Sequence, residues 1–65
     1  MTTADLKRVR SEARSMTLDG LREAVFAARA LYANAQTQEQ AQYAHDLACE
    51  YAEVYQRAAF PRNNA

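Results

Sequence analysis

The residues best equipped for chemistry are His45 and Cys49, which stand four positions apart in "YAHDLACEYAEV". On a helix that spacing puts an imidazole beside a thiol, the arrangement of a base-activated nucleophile or half of a metal clamp. Neither function can be completed from this sequence. A nucleophile needs a third, orienting group and an oxyanion donor, and no candidate accompanies the pair. One His and one Cys cannot supply the four ligands of a zinc site. His45 therefore reads as a solvated side chain and Cys49 as a small helix-packing residue. With a single glycine in the chain there is no phosphate-cradling loop, and no carboxylate pair falls in a recognisable cleft. No catalytic residue, metal ligand or cofactor is assigned, and the chain is expected not to be an enzyme.

Charge patterning carries more information. Net charge is zero, with eight basic and eight acidic residues, so direct DNA contact is not expected. The signs are nevertheless segregated. Lys7, Arg10 and Arg14 fall on one helical stripe near the N-terminus, beside an apolar one. Glu39, Asp46, Glu50 and Glu53 fall within about 60° of one another at 100° per residue, well away from the apolar face of their own helix. The acidic stripe is either an ordinary solvated face or a docking surface for a basic partner, where complementary charge sets orientation and on-rate. The two stripes can also pair with each other, within one chain or across a dimer.

Three helices must position these groups. Thr3 is a candidate cap for a first helix over about 4–14, with Leu6, Val9, Ala13 and Met16 on one face. Thr17 caps a second over 18–34, where Asp19 favours the positive helix end and Leu18, Leu21, Val25, Ala28, Tyr32 and Ala35 repeat at three-four spacing. Thr37-Gln38-Glu39-Gln40 is a capping-box pattern opening a third helix over 38–60, with Ala44, Leu47, Tyr51, Val54 and Ala58 inside. Pro61 stops it, and 61–65 form a tail. The short link at 34–36 makes helices two and three antiparallel neighbours. The expected fold is all-α: a short N-terminal helix plus an antiparallel hairpin in one domain over 1–60, dimerising into a helical bundle.

Size argues for association. A chain of 65 residues buries only about 60% of its unfolded surface, and 15 of its residues are alanine against five Leu, three Val and no Ile or Trp. Such a core barely offsets chain ordering, and small proteins close the gap with disulfides, metals or oligomerisation. One cysteine excludes an internal disulfide, so a homodimer or another protein partner is expected. Phe26 points away from the Leu18/Leu21/Val25 stripe and is a candidate interface residue, while the four tyrosines follow core or interface spacing. No apolar run suggests a signal peptide or a membrane span, which implies a cytoplasmic protein without membrane contact.

The run "LKRVRSEARSMTLDGLREAV", residues 6–25, resembles the N-terminal dimerisation region of the nucleoid-structuring H-NS family. Arg10, Ala13, Arg14, Thr17, Leu18, Asp19, Leu21 and Glu23 match that pattern. Leu6, Val9 and Val25 are conservative replacements, and Lys7 stands where the family carries arginine. The small Hha/YmoA group, which binds that region, is similar in the Thr17-x-Asp19-x-Leu21 helix start. It is weakly similar again through Glu39, Ala41, Tyr43, Ala52 and Glu53. Ala48 stands where Hha carries a docking aspartate, with Asp46 or Glu50 as substitutes. The resemblance covers about a third of the chain, and the linker and DNA-reading domain of H-NS have no counterpart here. It implies a nucleoid-associated regulator that self-associates or binds H-NS-type proteins and modulates gene silencing without reading DNA itself. Leu6, Val9, Leu18, Leu21, Val25 and Phe26 would form the dimer or partner interface. Lys7, Arg10, Arg14 and the acidic stripe would give charged docking.

Two other readings compete. Two antiparallel helices in about sixty residues also resemble Rop, a dimeric bundle that binds paired RNA loops, but RNA binding needs a basic face and only the first helix offers one. A small phage or plasmid protein that inhibits another host protein would use the same helical surfaces.

Overall fold

A computed structural model of the chain describes residues 2–61. Three helices follow in order: α1 (Thr3–Arg14), α2 (Leu18–Ala33) and α3 (Gln38–Ala59). No strand occurs among the described residues. Of the tail expected over 61–65, only Pro61 lies within them.

Each helix starts on a threonine in extended conformation whose hydroxyl accepts an otherwise orphaned backbone N–H. Thr17 accepts from the Gly20 N–H at 3.1 Å and Thr37 from that of Gln40 at 3.1 Å, as the spacing predicts. For α1 the cap is Thr2 and not Thr3: its hydroxyl accepts from the Asp5 N–H at 3.1 Å, and the helix already includes Thr3. The Asp5 carboxyl is in turn held below the ordinary aspartate value by hydrogen bonds from the Thr2 hydroxyl and backbone, with Arg8 adding a smaller favourable charge. Gln40, expected to close its box on Thr37, instead accepts from the Gln36 N–H at 2.9 Å and so fastens the interhelical link one residue further back. α3 ends at Ala59, with Phe60 as its C-cap residue, donating its N–H to the Gln56 carbonyl.

α2 and α3 form an antiparallel hairpin. Leu31 shares a cavity with Tyr43 and Ala44 near the link, and Phe26 shares one with Tyr55 and Phe60 at the other end. α1 lies parallel to α3, Arg10 meeting Glu50 and Arg14 lying near Glu53, Arg57 and Ala58. It packs on α3 and barely touches α2. The molecule is therefore elongated: its radius of gyration is 12.5 Å, against about 11 Å for a compact domain of this length.

The core is thin. Val9, Ala13, Leu21, Ala28 and Ala44 are buried, and Leu21 is the one large side chain that is fully so among the described residues. Alanines at 28 and 44 let the hairpin backbones approach closely, but they remove little apolar surface from water. The inner stripes are narrower than their spacing predicts. Leu18 and Tyr32 of α2 are exposed, Ala58 of α3 is exposed, and Leu47, Tyr51 and Val54 are only half-buried. Two helices cannot cover each other's full apolar arc, and α1 is too short to cover the rest.

Candidate interaction surface

The charged stripes converge at one point. Arg10 donates from Nε to Oε2 and from Nη2 to Oε1 of Glu50, both at 3.0 Å, a planar fork on a carboxylate. Glu50 is thereby 9% exposed, the one charged residue among the buried ones. Its hydrogen bonds and charge raise the Arg10 pKa further above its already high ordinary value. This settles one open alternative for these two residues, since the pairing occurs within the chain. It also corrects the picture of Glu50 as part of a free face: α1 lies over it.

Of the other stripe residues Glu53 adds a smaller favourable charge to Arg10, and none among the described residues bonds to the pair. Lys7 and Arg14 stay exposed. Glu53 pairs along its own helix with Arg57 at 2.8 Å. Asp46 is half-buried and accepts the Gln42 side-chain amide at 2.9 Å, which lowers its pKa below the aspartate norm. Glu39 is exposed beside Tyr43 and Leu31 near the hairpin link.

The six apolar residues expected at an interface also separate. Val9 and Leu21 are spent on the chain's own core, and Leu6 and Val25 are half-buried. Leu18 and Phe26 face solvent, at 44% and 57% exposure. Phe26 lies about 140° around α2 from Leu21 at 100° per residue, so the contact that buries Leu21 leaves it outside.

An open groove follows the α2–α3 seam. At one end Val25, Phe26, Tyr55 and Phe60 line it; at the other, Tyr32, His45, Ala48 and Cys49. Arg29 and Ala52 belong to both ends and join them. No α1 residue lines it. Ala52 is two positions beyond Glu50 and thus nearly opposite it around α3, so the groove occupies the side α1 leaves bare. Cys49 Sγ stands 3.9 and 3.8 Å from the two His45 ring nitrogens, with the Tyr32 ring tilted 55° beside the imidazole at 6.3 Å. No group of three metal-ligating side chains forms among the described residues.

Sequence reasoning singled out Phe26 and gave the tyrosines core or interface spacing, but it missed Phe60, Leu31, Arg22 and Arg29. Phe60, Leu31 and Tyr43 are 73%, 54% and 48% exposed. Leu31 carried a signal, since it lies about 80° off the Leu21–Ala28 line. Arg22 and Arg29 carried another: seven residues apart, they share one edge of α2. Among the described residues no helix is long and apolar enough to cross a membrane. No protein-family model matches the chain, and no curated protein or solved structure is significantly similar to it.

Proposed function

We propose that the chain is a helical protein–protein interaction module that self-associates or binds a larger protein through the hairpin surface. One observation carries the reading. Leu18, Phe26, Leu31, Tyr32, Tyr43 and Phe60 are each 44% or more exposed, while a single large side chain among the described residues, Leu21, is fully buried. A chain that leaves six large apolar groups this exposed gains stability by covering them with another molecule.

The resemblance of residues 6–25 makes an H-NS-type nucleoid protein the partner to try first, with modulation of gene silencing as the consequence. Lys7 and Arg14, both exposed and without an ion pair among the described residues, support an electrostatic contact there. The Rop-like RNA reading is weaker, because Arg10 is engaged with Glu50 and Arg14 lies beside Glu53, which leaves Lys7 alone away from acidic neighbours on that stripe among the described residues.

Light scattering behind size exclusion tests this, on the protein alone and mixed with an H-NS N-terminal fragment. A dimer mass, or a mixed species of defined mass, supports the module. A monomer that ignores the fragment and shows no concentration-dependent melting removes both versions.

A further inference from the structure

We propose that the α2–α3 groove receives an amphipathic helix of a different protein, one carrying carboxylates two turns apart along the edge of its apolar stripe. This rests on the interaction-module reading and adds to it the place and the chemistry of the partner.

The groove has the form a helix needs. Its floor is Val25, Ala48 and Ala52, small or half-buried groups that let a backbone come close, and Phe26, Tyr32 and Phe60 stand exposed along it. Helices docking in such grooves present apolar anchors at three-four spacing. From Arg22 to Tyr32 the α2 wall rises about 15 Å, and from His45 to Phe60 the α3 wall about 22 Å, room for roughly fourteen helical residues.

Charge selects the occupant. Arg22 and Arg29 line the α2 edge, and no Asp or Glu lines any part of the groove. Neither arginine has a side-chain hydrogen bond or ion pair among the described residues. Seven residues separate them, about 10.5 Å along the axis, so a helix lying along α2 meets them with acidic residues at i and i+7. A second copy seated by two-fold symmetry would present the same patch, bringing four arginines together without one carboxylate. Single-stranded RNA is the other ligand that combines cations with aromatic platforms. Two cations offer it few phosphate contacts, however, and the alanine floor matches an apolar side-chain stripe better than a sugar-phosphate backbone.

The test uses two fluorescein-labelled fourteen-residue helical peptides with the same leucine stripe, one edged with glutamate at i and i+7, the other with lysine. Anisotropy titrations against the full chain should give about tenfold or tighter preference for the acidic peptide at low salt. Arg22→Glu plus Arg29→Glu, both exposed and checked by circular dichroism for retained helix, should reverse that preference. Phe26→Ala should weaken the acidic peptide about tenfold. Equal binding of the two peptides overturns the proposal, as does binding untouched by the arginine exchange or displacement of the acidic peptide by a single-stranded RNA. If neither peptide binds while the doubly exchanged chain still dimerises or captures the H-NS fragment, the groove assignment fails and the module reading stands. If those associations are absent as well, both fail.

Discussion

Arg10 and Glu50, forty residues apart in sequence, clasp each other through two parallel hydrogen bonds of 3.0 Å and fasten α1 to α3. The partners are unequally placed, with side chains 42% and 11% exposed. Losing Glu50 lets the arginine turn to water, whereas losing Arg10 strands a carboxylate with little solvent around it. Arg10→Ala should therefore lower the melting temperature more than Glu50→Ala, and Glu50→Leu should lower it least, because it removes the charge and also fills the buried site with apolar volume. Thermal denaturation of the three variants, followed by circular dichroism, checks the order. The gap between wild type and Arg10→Ala should shrink in high salt.

Leu21 and Phe26 separate packing from partnership. Leu21→Ala removes the one large side chain that is fully buried among the described residues and should cost about 2–5 kcal/mol, enough to unfold much of so small a domain at room temperature. Phe26→Ala touches an exposed ring and should change folding by no more than about 0.5 kcal/mol, yet it should abolish or weaken association. Urea denaturation alongside light scattering distinguishes the two outcomes.

Gly20 offers a stabilising substitution held back by a neighbour. A Cβ there would lie 3.2 Å from Thr17 Oγ1 and 3.7 Å from Met16 Cε, and that same hydroxyl caps the helix by accepting the Gly20 N–H. Alanine in place of helical glycine is worth about 1 kcal/mol in propensity. Gly20→Ala should deliver only part of it, because the cap must shift by a few tenths of an ångström. In a Thr17→Ala background, already weakened by about 1 kcal/mol through the lost cap, the same change should deliver nearly all. A four-member mutant cycle in urea measures the difference.

Acid should destabilise the chain through Asp5 and Asp46. Hydrogen bonds from Thr2 and from the Gln42 amide hold the two carboxyls below the ordinary 3.8. The unfolded chain thus takes up protons first as pH falls, so the stabilisation is fully present above about pH 5 and fades through 3.8 and below. Melting temperatures recorded down the pH scale should fall in that window, and less steeply for Asp5→Asn than for the wild type.

The three helices, their order and two of their caps are legible in the sequence because hydrophobic spacing and Thr17 and Thr37 are local signals. The first cap slipped by one residue because Thr2 and Thr3 are both competent and Asp5 chooses between them by returning a bond to Thr2. Glu50 was legible as part of an acidic stripe but not as buried. A helical wheel fixes angles about one axis and says nothing of where a third helix docks. Phe26 announced itself by lying off its stripe. The groove did not, because it is a property of two helices together: Arg29 and Ala52 become neighbours only once the hairpin closes.

α1 leans on α3 alone, and that asymmetry has a kinetic side. The α2–α3 hairpin closes over a link of four residues, a small loss of loop entropy, whereas α1 reaches its seat only across a separation of about forty. The hairpin should therefore assemble first and α1 arrive as a late, separable unit. Native-state hydrogen exchange would then divide the chain in two, with the amides of α1 opening at lower free energy than those around Leu21, Ala28 and Ala44. Each such opening uncovers Glu50 and Val54 while leaving the far side of the hairpin undisturbed, so the two long faces of α3 live on different clocks.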